Sequence, residues 1–209
     1  MAMDMADAIK KAKEAADPRN FTQSVDLIVN LKNVELDNPE NRFAEDITLP
    51  YQASEDTTVA VIGDTLVKEA DNADITLTGD ELEELFDDQD EAKDLAEEVD
   101  FFIAEAPLMP DIGQHLGPIL GPRNKMPKPM PPGSDPTDRI EELRKTVSVK
   151  VREQPSVKSK VGHEAMEEKE LASNADAILN LITDNMPRGE HNIKDIYVKL
   201  TMGPVVAVK

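Results

Sequence analysis

Val59-Ala60-Val61-Ile62-Gly63-Asp64 sets four consecutive apolar residues against a turn pair, and its reading decides the architecture. A short, unbroken apolar run that stops at a turn predicts a strand covered on both faces. Residues 75–77 repeat the pattern more weakly. A long helix is expected over residues 79–100, with Leu82, Leu85, Phe86, Leu95 and Val99 inward and acids elsewhere. Asp80, Glu81, Glu83 and Glu84 fall in its first turns, where the helix dipole favours negative charge. Phe101-Phe102-Ile103-Ala104 then reads as another buried strand. Strand, helix, strand in short order predicts a Rossmann-like, three-layer α/β domain around a parallel sheet.

Outward from this centre the pattern changes on both sides. Met5, Ala8, Ile9, Ala12 and Ala16 recur at helical spacing until Asp17-Pro18. Over residues 21–31, Phe21, Val25, Leu27, Val29 and Leu31 share one parity. Thr22, Ser24, Asp26 and Asn30 share the other, as on a half-buried strand. Residues 37–41, with Pro39, read as a turn and 47–50 as a short extended piece. Beyond the centre, residues 138–145 read as a helix carrying Ile140 and Leu143. Val147, Val149 and Val151 alternate, residues 157–161 are a candidate partner strand for them, residues 171–182 form an amphipathic helix, and 197–208 supply the last strand or strands. Neither flank is long enough to bury a core alone. The expected fold is therefore one discontinuous α+β domain built from both chain ends, residues 1–54 and 147–209. Residues 55–146 form the inserted α/β domain, entered through hinges near 51–57 and 144–148.

Formal net charge is −20, with no Cys. That excludes disulfides, Cys-based zinc sites and thiol chemistry. No apolar run approaches the roughly 18 residues of a membrane span, and Asp4 and Asp7 stand where a secretory signal would be apolar, so a cytoplasmic protein with no membrane partner is expected. Residues 1–50 carry 6 basic and 10 acidic side chains, residues 51–147 carry 8 and 24, and residues 148–209 carry 9 and 9. The acid load thus sits in the middle of the chain. Such a surface suits a salt-rich cytoplasm, where the Debye length shrinks to about 3 Å at about 1 M salt and contact geometry decides binding.

The 113–132 segment, Gly-Gln-His-Leu-Gly-Pro-Ile-Leu-Gly-Pro-Arg-Asn-Lys-Met-Pro-Lys-Pro-Met-Pro-Pro, cannot be one ordinary helix or strand. His115, Arg123, Lys125 and Lys128 in it either hold an anion or belong to a rigid scaffold loop, and Asn124 sits where a left-handed residue would be natural. The polar row Thr22, Ser24, Asp26 and Asn30 can contact ribose or base edges, or can simply be the wet face of a sheet. Thr201-Met202-Gly203-Pro204 either lets a flat partner lie against backbone or makes a bulge or hairpin turn. Lys158 and Lys160 share a strand parity as phosphate contacts or as solubilising edge lysines. His115, His163 and His191 are scattered and His163-Glu164 does not continue into a zinc motif; no catalytic site, metal or cofactor is expected.

Taken together, Phe21-Thr22-Gln23-Ser24-Val25-Asp26-Leu27, the segment from Gly117-Pro118 to Pro129, and Tyr197-Val198-Lys199-Leu200-Thr201-Met202-Gly203-Pro204 resemble the universal ribosomal protein L-one family, the first-numbered large-subunit proteins, in an archaeal, halophilic form. The resemblance implies two domains joined at a hinge, the discontinuous one holding large-subunit rRNA at the mobile stalk. It also implies a part in releasing deacylated tRNA from the exit site and repression of the protein's own mRNA. Carried over by position, it implies RNA contacts at Phe21, Ser24, Asp26, Thr201, Met202 and Gly203, with Lys158 and Lys160 as further contacts. Phe21 sets parity, which buries it, against the resemblance, which turns it out to RNA. Asn124 replaces the family's usual Gly, and Asp195 stands where bacterial relatives carry Ser, so no RNA contact is assigned there. The expectation is a non-enzymatic, ribosome-associated protein, monomeric when free. The rival is a small-molecule or nucleotide-binding α/β enzyme with its site at the strand ends near Gly63-Asp64.

Overall fold

The structure, a computed structural model, describes residues 3–36, 38, 41–152 and 154–208. Of the turn expected at 37–41, Asp37, Pro39 and Glu40 lie outside the described residues. The chain divides into two compact units, Met1–Ser54 with Lys145–Lys209, and Glu55–Arg144. In chain order the elements are α1 (Met5–Ala15), β1 (Ser24–Leu31) and β2 (Phe43–Thr48) in the terminal unit. The insert follows with β3 (Val59–Ile62), β4 (Ile75–Leu77), α2 (Gly79–Asp87), α3 (Gln89–Glu98), β5 (Phe101–Glu105), α4 (Met109–His115), α5 (Gly117–Arg123), β6 (Lys128–Met130) and α6 (Thr137–Arg144). The terminal unit resumes with β7 (Thr146–Val151), β8 (Ser156–His163), α7 (Glu168–Asn185), β9 (Ile193–Leu200) and β10 (Val206–Ala207). Lys145 and Thr146 thus lie with the terminal unit and not with the insert: the Leu49 amide donates to the Lys145 carbonyl at 2.9 Å, and Thr146 pairs with Thr48 in β2.

In the insert the four strands run parallel in the order β4-β3-β5-β6. Side-chain alternation splits β3 between two apolar clusters. Ala60 and Ile62 pack with Leu82, Ala96, Ile112 and Leu120 of α2 to α5, and Val59 and Val61 pack with Leu66, Ile140 and Leu143 on the other face. That is why all four apolar residues of the opening stretch are buried. The helix expected over 79–100 is two helices. Asp88 breaks it with an extended backbone (φ −106, ψ 91), and its carboxylate accepts from the amides of Asp90 and Glu91, capping α3. Thr78 and Glu81 form a capping box on α2.

The Gly/Pro segment folds into α4, α5 and β6 with its cations turned to internal work. Asn124 takes the left-handed conformation (φ 60, ψ 35) that ends α5. The Lys125 ammonium donates to the carbonyls of Ala96 and Val99 at 3.0 and 2.7 Å, closing the C-terminus of α3. Arg123 bonds Ile119 O and Glu97, and Lys128 lies 5.5 Å above the Phe101 ring. The scaffold reading of this segment therefore describes Arg123, Lys125 and Lys128, and His115 stacks on Phe86 with ring centroids 4.4 Å apart.

At the strand ends the Glu105 carboxylate, itself buried, accepts from the Thr65 amide and hydroxyl at 2.7 Å each and from the Leu66 amide at 3.0 Å. Burial pushes this carboxyl up, but the Thr65 hydroxyl, the two amides and nearby Lys68 outweigh it and hold it below the usual glutamate range. The Thr65 and Leu66 amides just past Gly63-Asp64 are thus committed to the protein's own anion, and the Gly63 amide donates to Leu77 O at 2.9 Å.

The terminal unit carries a four-stranded antiparallel sheet, order β10-β9-β1-β8, and a separate ribbon of β2 with β7. Residues 157–161 were expected against 147–151, but β8 pairs with β1 while β7 takes β2. Val149 and Val151 are buried in the terminal unit's apolar cluster, as their alternation predicts, but that alternation does not name their partner strand. Val25, Leu27, Val29 and Leu31 point into that cluster against Ile9 of α1 and Leu171, Ile178 and Ile182 of α7. Asn174 of α7 is fully buried within it. Its side chain donates to Tyr51 O at 2.9 Å and Val161 O at 2.8 Å and accepts from Tyr51 N at 3.0 Å, tying the chain leading to Ser54 onto the helix. Asn174→Ala strands these groups and should lower the stability of the terminal unit by about 1–3 kcal/mol. Denaturant unfolding followed on that unit checks this, and a loss within error of zero contradicts it.

Candidate nucleic-acid interface

β1 is the central strand, and its two registers decide which side chains meet. Against β9, Val25 faces Leu200 and Asp26 faces Lys199; against β8, Asp26 faces Lys160 and Ile28 faces Lys158, with a bulge between Val25 and Asp26. Directly opposed residues point to the same side of an antiparallel sheet. The face away from α1 and α7 thus gathers Ser24, Asp26, Ile28 and Asn30 with Lys158, Lys160 and Lys199. The expected polar row is real but interrupted by Ile28, and Thr22 lies exposed before the strand.

Ser24 and Thr201, 177 positions apart, meet at the top of this face. The Ser24 carbonyl accepts from the Thr201 amide at 3.0 Å and from the Thr201 hydroxyl at 3.3 Å. Phe21 is 55% exposed and Met202 60%, the large apolar side chains flanking that junction. Strand parity, which buries Phe21, holds back to the buried Gln23 but fails at Phe21, which lies three residues before β1 begins at Ser24. Residues 201–204 turn the chain from β9 into β10, with Val206 opposite Val198, so the hairpin alternative holds for their backbone. Gly203 donates to Leu200 O at 2.9 Å, and a Cβ there would stand 3.1 Å from Ala16 Cβ and 3.3 Å from Leu200 Cβ. Its lack of a side chain is used inside the fold, against the end of α1, more than kept open for a flat partner.

Below this apex lies a cationic trough. A depression of about 300 Å³ is lined by Asp26, Ile28, Lys158, Ser159, Lys160 and Lys199. A second, about 320 Å³, is lined by Lys150, Arg152, Gln154, Ser156 and Lys158 and so continues the first through Lys158. The Lys160 ammonium donates to the Ser54 hydroxyl at 2.8 Å. Lys199, Lys150 and Arg152 were missed from sequence. Lys199 lay in plain view inside the quoted Tyr197-Val198-Lys199 run, and Lys150 alternates outward between the buried Val149 and Val151. Burial raises the Asp26 carboxyl above its ordinary range, and the opposing pull of Lys199 and Lys160 does not fully offset it. The trough stands out because the insert carries 24 acidic against 7 basic residues while the terminal unit carries 19 against 16. Among the described residues no group of three or more His, Cys, Asp or Glu is placed to hold a metal ion.

The split antiparallel unit with a parallel α/β insert is the two-domain fold of a ribosomal protein of the L1 class. The chain belongs to the ribosomal protein L1p/L10e family, whose pattern matches residues 9–204. It is similar to the large ribosomal subunit protein uL1 of Methanothermobacter thermautotrophicus, 46% identical over 211 residues that span the whole of both chains. The protein of the same name from Haloquadratum walsbyi is 44% identical across all of this chain and 99% of its own. That of Thermococcus kodakarensis is 46% identical across 98% of this chain and 96% of its own. Identity therefore does not single out the halophile. Family membership makes the chain a structural, non-enzymatic ribosomal protein of the large subunit, associated with cytoplasmic ribosomes. No described helix is long and apolar enough to cross a membrane.

An acid whose folded pKa is raised costs stability once ionised. The cost is absent below its unfolded pKa, grows as pH rises toward the folded pKa, and is complete above it. Asp26→Asn should therefore make the protein more stable than wild type at neutral pH, with the gap closing as pH falls through the ordinary aspartate range. Melting midpoints of both proteins across that range check this; a variant less stable than wild type at neutral pH contradicts it.

Proposed function

We propose that the terminal unit binds large-subunit rRNA at the mobile stalk through the apex Phe21, Ser24, Thr201, Met202 and Gly203 together with Asp26, Lys158 and Lys160 in the trough below. The observation that carries this reading is the junction of Ser24 with Thr201, which sets exposed backbone and two large apolar side chains beside a run of lysines in an otherwise acidic protein. Unstacked RNA bases take up aromatic and apolar side chains such as Phe21 and Met202, while lysines in the trough neutralise phosphates. Lys199 extends the set by the register that places it opposite Asp26.

On this reading the protein takes part in releasing deacylated tRNA from the exit site, represses translation of its own mRNA by holding a similar RNA fold, and is a monomer when free. These roles rest on the family resemblance carried by the 21–27, 117–129 and 197–204 segments. A salt-adapted form fits the insert's excess of 24 acidic over 7 basic residues, which concentrated salt screens. The nucleotide-enzyme alternative loses its site, since Glu105 takes the amides at the strand ends.

Titrating a stalk-helix RNA fragment against wild type, Thr201→Val, Lys160→Ala and Lys199→Ala tests the reading. Thr201→Val should weaken binding by about 1–3 kcal/mol at every salt concentration. Each lysine variant should lower the slope of log affinity on log salt by about 1. Wild-type binding that survives at about 1 M KCl supports the salt-adapted form, and its loss there contradicts it. Unchanged affinities and slopes in all three variants would sink the proposed interface.

A further inference from the structure

We propose that Gln23 is a positioning residue for the RNA-binding apex, a buried amide that fixes the Met202 backbone from beneath the surface; the inference rests on the RNA reading above and names a residue that reading does not use. Gln23 is only 2% exposed, among the few polar side chains buried in the described structure. Its Oε1 accepts from the Met202 amide at 3.2 Å, and its Nε2 donates to the Asp17 carbonyl at 3.3 Å. Its main chain is held as firmly: the Gln23 amide donates to Glu164 Oε1 at 3.0 Å, and its carbonyl accepts from the Glu164 amide at 2.9 Å.

One residue therefore joins three separate pieces of chain. Asp17 lies just past the end of α1, Glu164 just past β8, and Met202 in the turn after β9. Phe21 and Ser24 are two residues before it and one after. The exposed members of the apex are carried on segments with no regular secondary structure of their own at residues 21–23 and 201–204. The Ser24 to Thr201 bonds and the Gln23 side-chain amide join the two segments. A side chain that both donates and accepts is needed, because Met202 offers an N–H and Asp17 a carbonyl. Glutamine meets both demands. A glutamate there would still accept from Met202 but would set its second oxygen against the Asp17 carbonyl. Once protonated, the same glutamate regains a donor and matches the amide in shape.

The test compares wild type, Gln23→Met and Gln23→Glu for affinity to a stalk-helix RNA fragment, with melting midpoints and circular dichroism recorded on the same samples. Gln23→Met keeps the volume and removes both bonds. It should stay folded and bind about tenfold more weakly or worse. Gln23→Glu should bind as weakly at pH 7.5 and recover toward wild type as the pH is lowered toward 5, where a buried carboxyl reprotonates. Glu164 and Asp17 are the titratable residues bonded to Gln23; both are present in both proteins, so the affinity ratio to wild type at each pH reports the introduced carboxyl. A Gln23→Met protein that melts lower yet binds like wild type overturns the inference by making Gln23 merely structural. Failure of Gln23→Glu to recover on acidification overturns it as well. Should wild type itself not bind the RNA, the functional reading falls, and this inference with it.

Discussion

The antiparallel seam between β1 and β9 holds the whole arrangement together, because it joins the two ends of the chain and keeps one register from Val25 to Asn30. Val25 lies on Leu200, Leu27 on Val198 and Val29 on Ile196. A slip of one residue would turn Val25, Leu27, Val29 and Leu31 out of the core and bring Asp26 into it, so the apolar cluster and the presented face are set by the same pairing. The entropy of closing a loop grows only slowly with its length, and the residues between the two ends fold around clusters of their own. That makes a long insertion compatible with the seam.

Charge is partitioned along the same division. The insert spends its acids on helix starts and caps, as at Asp88 and Glu81, and on one anion held by backbone amides at Glu105. Its few cations close helix ends and ion pairs within the insert, as Lys125 and Arg123 do. The terminal unit instead sets Lys158, Lys160 and Lys199 around a single half-buried Asp26. Net charge for the whole chain, −20, therefore conceals a surface on which short-range cationic contacts remain available.

Where a single periodicity governs, the sequence was readable. The unbroken run at 59–62 fixed a two-sided strand, alternation through 25–31 fixed a one-sided strand, and the helix Glu168–Asn185 covers the expected 171–182. Errors came where a local bond outweighs the pattern. Asp88 breaks a continuous helical stripe by capping its own successor, and β8 pairs with β1 while β7 pairs with β2, a choice of partner that alternation alone does not make. At the site, Ser24, Asp26 and Lys160 followed from parity. Phe21 did not, since it precedes the strand. Gln23 carried a weak signal, a polar residue at the buried parity of β1, and only the partners Met202, Asp17 and Glu164 give that position its meaning.

Amide hydrogen exchange on the full chain, with and without a stalk-helix rRNA fragment, tests most directly whether the surface made by the joined ends is the one that meets RNA. Slowed exchange concentrated at residues 21–26 and 198–203, with the 79–123 helices unchanged, is the outcome this account requires. Protection confined to the insert, with those two segments exchanging as in the free protein, would contradict it.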